Sequence, residues 1–355
     1  MIDGEGIMKM NKSRGIIFNT NRLIRLVTVT LIMVLSFTGC SKYIVKEKEV
    51  NINAKNDNLE NNNQKDSNLP QDKTLIRIGM MSSSDVIPYV LMNEKGFLDS
   101  YNIDLQLEVF TSAKDRDAAF TAGELDGVLT DYIGICMYQN AGFDVRITGI
   151  TDGDYILVAG KNTGITDISQ IVDKSIAISE NTLIDYTLDN VLANNNLASD
   201  DVIKEIIPRI PDRLELLRND KIDLGLLPEP FVTLALNDGA IYLGSANEFG
   251  LYPAVSAFSK AAIDKKSEAI HDLYKAYNEA IEYMKDTELV EYEKTVITAV
   301  GYPKEMIGKI TINEFRNSTL PPKAEVEAAI EWASNKGLCN KDLAYEDLIF
   351  DVYSE

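Results

Sequence analysis

The feature that most constrains this fold is an alternation of apolar strands and short helices that begins twice along the chain. The first run opens with a predicted strand at residues 75–80, and the second opens with a predicted strand at residues 175–179. Strands that alternate with helices are typical of α/β domains with a largely parallel sheet. The pattern therefore predicts two α/β lobes.

A short internal repeat indicates that the two lobes are related. Arg116 is followed ten residues later by Asp126, and Arg213 is followed ten residues later by Asp223. Each pair lies where a short helix, a tight turn and a strand are predicted. We expect each arginine to pair with its aspartate and to tie helix to strand, and we favour this structural role over anion binding.

The N-terminal region has the pattern of a lipoprotein signal. Residues 9–25 carry five positive charges and no acidic residue, and an uncharged, mostly apolar run follows at residues 26–37. The run is shorter than the roughly 20 residues that cross a bilayer. It leads into Cys40 through a segment that resembles a bacterial lipobox. We predict a signal peptide at residues 1–39 and lipidation of Cys40, with an unlipidated signal peptide as the alternative.

The segment after Cys40 has the composition of a tether. Residues 41–73 are rich in Asn, Lys, Asp and Glu and hold no aromatic residue after Tyr43. Such a composition cannot bury enough apolar area to offset the entropy lost on ordering. We predict that residues 40–73 form a lipidated cysteine and a disordered tether.

The composition also excludes several classes of function. The chain has 55 Asp and Glu against 35 Lys and Arg, a net charge of −20, which disfavours nucleic acid as a partner because phosphate binding needs concentrated basic residues. His271 is the only histidine, so multi-histidine metal sites are excluded. We predict no cofactor and no metal. Cys136 and Cys339 are predicted to be free, with a disulfide between them as the alternative.

Several stretches, by their order and spacing, resemble the substrate-binding proteins of ABC importers. The resemblance is to the family that binds nitrate, sulfonates, taurine and thiamine-pyrimidine precursors. The stretches that carry it are Ile87-Pro88-Tyr89, Glu94-Lys95-Gly96-Phe97, Ala122-Gly123-Glu124-Leu125-Asp126, Asp223-Leu224-Gly225-Leu226-Leu227-Pro228-Glu229-Pro230 and Leu343-Ala344-Tyr345-Glu346-Asp347-Leu348.

The resemblance covers roughly residues 74–353 and implies a two-lobed periplasmic-binding-protein fold of type II, in the α/β class. Its sheets are expected to be mostly parallel, with a ligand cleft between the lobes and a helical C-terminal segment. Lobe I is expected at residues 74–159 plus 245–355, and lobe II at residues 160–244. The crossovers are expected near residues 159–161 and 242–244.

Ligands of open α/β sheets bind beyond the carboxyl ends of the strands, where helices begin. Polar side chains at those points offer hydrogen bonds, and two tyrosines offer flat faces for a ring. For each residue the alternative is a local role, such as capping a helix. The predicted ligand-binding residues are Ser83, Asp85, Tyr89, Ser112, Asp131, Tyr132, Ser179, Asn181, Thr182 and Glu229.

The resemblance implies a monomeric solute-binding lipoprotein on the outer face of the cell membrane. It would deliver a small molecule to an ABC permease and its ATPase by hinge closure, and it would catalyse no reaction. The acidic candidates favour an amine-bearing or neutral ring compound, such as an aminopyrimidine, over nitrate or a sulfonate. The alternatives are a ligand-sensing module for a signalling partner and a pyrimidine-synthase-like enzyme, whose cysteine-rich motif is absent.

Overall fold

The computed structural model describes residues 73–354. The predicted signal peptide, Cys40 and the predicted tether up to residue 72 lie outside the described residues. The strands are β1 (Thr74–Met81), β2 (Ile103–Phe110), β3 (Gly127–Asp131), β4 (Val145–Ile150), β5 (Tyr155–Ala159), β6 (Ser175–Ile178), β7 (Ile203–Ile206), β8 (Leu224–Pro228), β9 (Ile241–Ser245) and β10 (Ala254–Ser259).

These strands form two five-stranded sheets with the same topology. The first sheet has the order β2-β1-β3-β10-β4, and the second has the order β7-β6-β8-β5-β9. In each sheet the first three strands are parallel, and the fourth runs antiparallel to both of its neighbours. The predicted pair of related α/β lobes is therefore confirmed. Four of the five strands in each sheet run in the same direction, and the one antiparallel strand, which makes each sheet mixed, arrives from the other lobe.

Helices cover the faces of both sheets. They are α1 (Ile87–Glu94), α2 (Ala113–Thr121), α3 (Tyr132–Asn140), α4 (Leu183–Asn194), α5 (Ile210–Arg218), α6 (Phe231–Asn237), α7 (Lys260–Asp286), α8 (Glu293–Val300), α9 (Lys323–Asn335) and α10 (Tyr345–Leu348). Within residues 73–354, none of them combines the length and the apolar character that crossing a bilayer requires.

The chain crosses to lobe II earlier than the sequence suggested, and it returns to lobe I later than the predicted residues 242–244, which lie inside β9. β5 pairs with β8 and β9, so it belongs to the second sheet, and the first crossover lies at residues 151–154. The return lies at residues 246–253, between β9 and β10. An apolar strand such as β5 suits either sheet, and only its pairing decides which sheet it joins. Lobe I therefore comprises residues 73–150 and 254–354, and lobe II comprises residues 155–245.

Local sequence explains the elements that frame the lobes. In β2, Ile103 and Leu105 are buried while Asp104 and Gln106 are exposed, and the strand lies at the edge of its sheet as this alternation predicts. The long helix α7 buries an apolar stripe with a spacing of three to four residues against lobe I.

Candidate functional site

The carboxyl ends of the parallel strands of the two lobes meet at a narrow cavity of about 40 Å³, enough for a few water molecules. Lobe I contributes the residues at and after the end of β1, the last residues of β3 and part of α2. Lobe II contributes the residues after β6, the start of β5, the end of β8 and parts of α4 and α5. The polar side chains that line the cavity are Ser83, Asp85, Arg116, Thr130, Asp131, Tyr155, Ser179, Thr182 and Arg213.

Five of the predicted ligand-binding residues line this cavity: Ser83, Asp85, Asp131, Ser179 and Thr182. Two of them also cap helices. Asp131 accepts from the backbone N–H of Gly134 at the start of α3, and Thr182 accepts from the backbone N–H of Ile184 in α4. Capping and a place in the cavity therefore coexist at the same residue.

The two tyrosines predicted as ring platforms lie in the packed interior instead. Tyr89 is fully buried in the core of lobe I, with its ring centroid 5.1 Å from that of Tyr277. Tyr132 is buried in a second core cluster, where its hydroxyl donates to Glu325 at 3.3 Å. Both lie on helices that are buried over most of their length, so the apolar body of each ring packs into the core.

The other three predicted residues have local partners outside the cavity lining. Ser112 caps α2 by accepting from the N–H of Asp115. Asn181 has a left-handed backbone, with φ of 58°, and its N–H donates to Asp185. The Glu229 carboxylate accepts from the Thr233 hydroxyl at 2.7 Å and so turns toward its own helix. These residues shape the strand ends without facing the cavity.

Two buried carboxylates mark the lobe I side of the cavity. Asp85 accepts hydrogen bonds from the hydroxyls of Ser83 and Thr151. Burial raises the pKa of Asp85, and these hydrogen bonds only partly offset the effect. Burial likewise raises the pKa of Asp131, against the lowering influence of Arg116 and of backbone donors that include Leu183 of lobe II.

The two arginines of the internal repeat occupy matching positions on α2 and α5 but have different partners. All three nitrogens of the Arg116 guanidinium are bonded, to Asp117, to the carbonyl oxygen of Leu129 and to the Thr130 hydroxyl. Burial is the largest single influence on the pKa of Arg116 and lowers it, but Asp117, Tyr138 and Asp131 together outweigh burial, so the net pKa is raised. Arg116 is therefore a fully satisfied structural residue.

Arg213 has a less complete set of partners. Its Nε and Nη2 atoms donate to the carbonyl oxygens of Ile207 and Pro208, while its buried Nη1 atom has no hydrogen-bond partner within residues 73–354. Burial lowers the pKa of Arg213 to about 10. A donor at the cavity is thus left available for a ligand.

The expected pairing of each arginine with its aspartate does not occur. Asp126 instead accepts from the backbone N–H of Arg77 at 2.8 Å, and Asp223 accepts from the backbone N–H of Ser175 at 2.8 Å. Each aspartate thus ties the end of the helix–turn segment to a parallel strand of its sheet, Asp126 to β1 and Asp223 to β6. The repeat is real, but it fixes a strand contact rather than an ion pair between the arginine and the aspartate.

A family model described as the NMT1-like family matches residues 70–297, which is more than half of the 355-residue chain. The chain belongs to the NMT1-like family. No curated protein sequence matches this member of the family at a significant level.

Solved structures share the fold of this NMT1-like protein. The periplasmic aliphatic sulphonate binding protein SsuA from Escherichia coli is 17% identical, with a TM-score of 0.64 over 78% of this chain and 92% of that chain. The alkanesulfonate-binding protein SsuA from Xanthomonas axonopodis pv. citri, bound to MOPS, is 16% identical, with a TM-score of 0.65 over 79% and 99%.

The periplasmic nitrate-binding protein NrtA from Synechocystis PCC 6803 is 13% identical, with a TM-score of 0.61 over 78% of this chain and 84% of that chain. These structural matches confirm the two-lobed periplasmic-binding-protein fold that the sequence resemblance predicted.

The two lobes of this NMT1-like protein touch directly beside the cavity. From α9 of lobe I, the Trp332 indole N–H donates to Asp189 at 3.0 Å, and the Lys336 ammonium donates to Asp185 at 2.8 Å. Lys336 also lies 4.2 Å from the centroid of the Trp332 ring, which packs edge-on against Tyr186 of α4. We call Asp185, Tyr186, Asp189, Trp332 and Lys336 the interlobe clasp.

Sequence reasoning missed four polar residues of the cavity: Arg116, Thr130, Tyr155 and Arg213. The internal repeat drew attention to both arginines, but each was expected to pair with an aspartate and was therefore assigned a structural role instead of a binding role. Tyr155 begins a plain apolar strand, and no pattern in the sequence distinguishes it from a core residue.

Proposed function

We propose that this chain is the extracytoplasmic solute-binding component of an ABC importer. The observation that carries the proposal is a cavity to which matching strand ends of both lobes contribute buried ionisable side chains. Buried ionisable groups gathered in a cleft are typical of binding sites. The structural neighbours are named as binding proteins for sulfonates or nitrate, not as enzymes, which agrees with the prediction that this chain catalyses no reaction.

The mechanism follows from the two crossovers. A solute that contacts Asp85 or Asp131 in lobe I and Ser179 or Arg213 in lobe II bridges the cleft, and such a bridge exists only when the lobes are close together. A ligand shifts an equilibrium between open and closed forms through the contacts that it gains in one of them. The closed form would then be the one that the permease recognises.

The solute class that we favour is an amine-bearing or neutral ring compound. The acidic groups on the lobe I side of the cavity, Asp85 and Asp131, can accept hydrogen bonds from an amine. Both carboxylates are buried, and neither has a basic side chain as a direct hydrogen-bond partner among the described residues. An amine cation would add a direct ionic partner to the partial charge compensation that Arg116 gives both carboxylates.

Anchoring by a lipid at Cys40 completes the proposal. Two acyl chains hold a protein stably on a membrane, and a tether of residues 41–73 would let the folded lobes reach a permease. Cys40→Ser should release the protein from the membrane without changing its thermal unfolding. A Cys40→Ser protein that still sediments with membranes in fractionation would contradict the anchor.

The binding function is tested by identifying what co-purifies with the full chain. Mass spectrometry of the denatured extract should detect one enriched small molecule. Trp332 is the only tryptophan of the sequence and belongs to the interlobe clasp, so its fluorescence reports the relative position of the lobes. Adding the identified solute back to protein freed of it should change the Trp332 emission saturably. An identified solute that leaves the emission unchanged would argue against hinge closure.

A further inference from the structure

One donor at the cavity is left without a partner by the protein itself. The Arg213 side chain lines the cavity, only 2% of the residue is exposed, and Nη1 has no hydrogen-bond partner among the described residues. Its other two nitrogens are held by backbone carbonyl groups at 2.8 and 3.1 Å. The guanidinium is thus fixed in orientation, with both N–H groups of Nη1 unused.

The charge of Arg213 is also uncompensated. No carboxylate within residues 73–354 forms an ion pair with it, and burial alone lowers its pKa to about 10. A buried charge without an opposite charge is costly, and a buried donor without an acceptor adds to that cost. A neutral carbonyl group would satisfy the donor only, whereas an acid group would satisfy both the donor and the charge.

We propose that Arg213 is the lobe II anchor for an acid group of the solute, a carboxylate or a sulfonate that accepts from Nη1. The inference rests on the proposed binding function and deepens it, because the amine-bearing solute then becomes a small amphoteric compound. Arg116 cannot take this role, since all of its nitrogens already have partners in lobe I.

The position of the other charges supports an amphoteric solute. Asp85 and Asp131 line the same cavity from lobe I, opposite Arg213 in lobe II. A solute with an amine at one end and an acid group at the other would compensate charges in both lobes at once. Such a solute gains its two ionic contacts together only in the closed form, which is the requirement for driving closure.

The test uses four small probes on the full chain purified in detergent: β-alanine, propionate, ethanesulfonate and propylamine. Thermal unfolding and Trp332 emission are followed at constant ionic strength. β-Alanine should bind most tightly, the acid probes more weakly, and the comparison of propionate with ethanesulfonate identifies the preferred acid group. Arg213→Met should weaken binding of β-alanine and of the preferred acid about 10- to 100-fold, the range for a hydrogen bond to a charged group. Propylamine binding should change less than about twofold, because this variant keeps the carboxylates of lobe I.

Two further variants separate anchoring from folding. Arg209→Met removes an exposed arginine just before α5 and should leave the binding of every probe unchanged. Arg213→Lys keeps the charge but not the planar fork, and it should retain part of the acid-probe affinity if it folds. This variant keeps the test informative if Arg213→Met unfolds.

Three outcomes would overturn the anchor. They are acid-probe binding that survives in Arg213→Met, equal loss of acid and amine binding in that variant, and a wild-type protein that responds to neither acid probe. In the third case a response to propylamine or to the co-purified solute would leave the binding function standing. If neither of these produces a response, the binding function itself fails.

Discussion

The two lobes carry the same strand order, and the same arginine position on α2 and α5, yet the two arginines are satisfied differently. In lobe I, Arg116 has an ion-pair partner and two further acceptors, whereas in lobe II, Arg213 has two carbonyl acceptors and no opposite charge. Both residues are 2% exposed, so burial does not explain the contrast. A repeated architecture therefore repeats the place of a side chain but not its chemistry, and the lobe with fewer internal partners is the one with a donor for a ligand.

The largest effect that tests this comparison is the loss of Arg116. Arg116→Met should lower the free energy of unfolding by about 3–5 kcal/mol, because it breaks a buried network and leaves Leu129 and Thr130 without their donor. Chemical denaturation of the full chain measures this change.

Arg213→Met is the matched variant in the other lobe. It also loses two hydrogen bonds, but it removes a buried charge that has no compensation, so its stability should stay within about 1–2 kcal/mol of the wild type. Equal destabilisation by the two variants would mean that the two arginines are structurally equivalent and that the contrast between the lobes is wrong.

An intermediate effect is expected at the interlobe clasp. Lys336→Met removes two ion pairs between the lobes, to Asp185 and to Asp189, while both aspartates keep their second partner, Lys204. The change should weaken the closed form by about 1 kcal/mol and shift the Trp332 emission toward that of the open form.

Lys341→Met, at an exposed lysine of lobe I, is the control for the clasp and should leave the emission unchanged. If Lys336→Met and the wild type have the same emission spectrum, both with and without solute, then the interlobe clasp does not contribute to the closed form.

The smallest effect is expected at Asp85, where the substitution should raise the stability of the folded protein rather than lower it. Since burial raises the pKa of Asp85 in the folded protein, ionising it costs folding free energy. The wild type should therefore lose stability as the pH rises from the unfolded-state pKa of about 3.9 through the raised folded-state pKa. Asp85→Asn lacks this loss and should be slightly more stable at neutral pH, with the difference vanishing below about pH 4.

Thermal unfolding across this pH range measures the Asp85 effect. Asp104→Asn, on the exposed face of β2, is the control and should change little at any pH. A neutral-pH stability of Asp85→Asn below that of the wild type would show that the hydrogen bonds from Ser83 and Thr151 outweigh the cost of burial.

Local pattern was sufficient for much of the fold. The period-two alternation of β2 predicted an edge strand, and the internal repeat predicted two related lobes, because both depend on side chains close together in the chain. The sequence also placed five residues at the cavity, since the rule that ligands bind at strand ends requires only the order of the elements.

Only the tertiary structure decided which sheet β5 joins and which partners the two arginines find. Strand pairing and the hydrogen-bond partners of a side chain depend on residues far apart in sequence. Examples are the backbone N–H of Arg77 bonded to Asp126 and the Trp332 indole bonded to Asp189. The same limit explains Tyr89 and Tyr132, whose buried positions follow from what packs against their helices. The sequence by itself determined two α/β lobes with polar strand ends. That Nη1 of Arg213 has no hydrogen-bond partner could be established only from the three-dimensional positions of the residues around it.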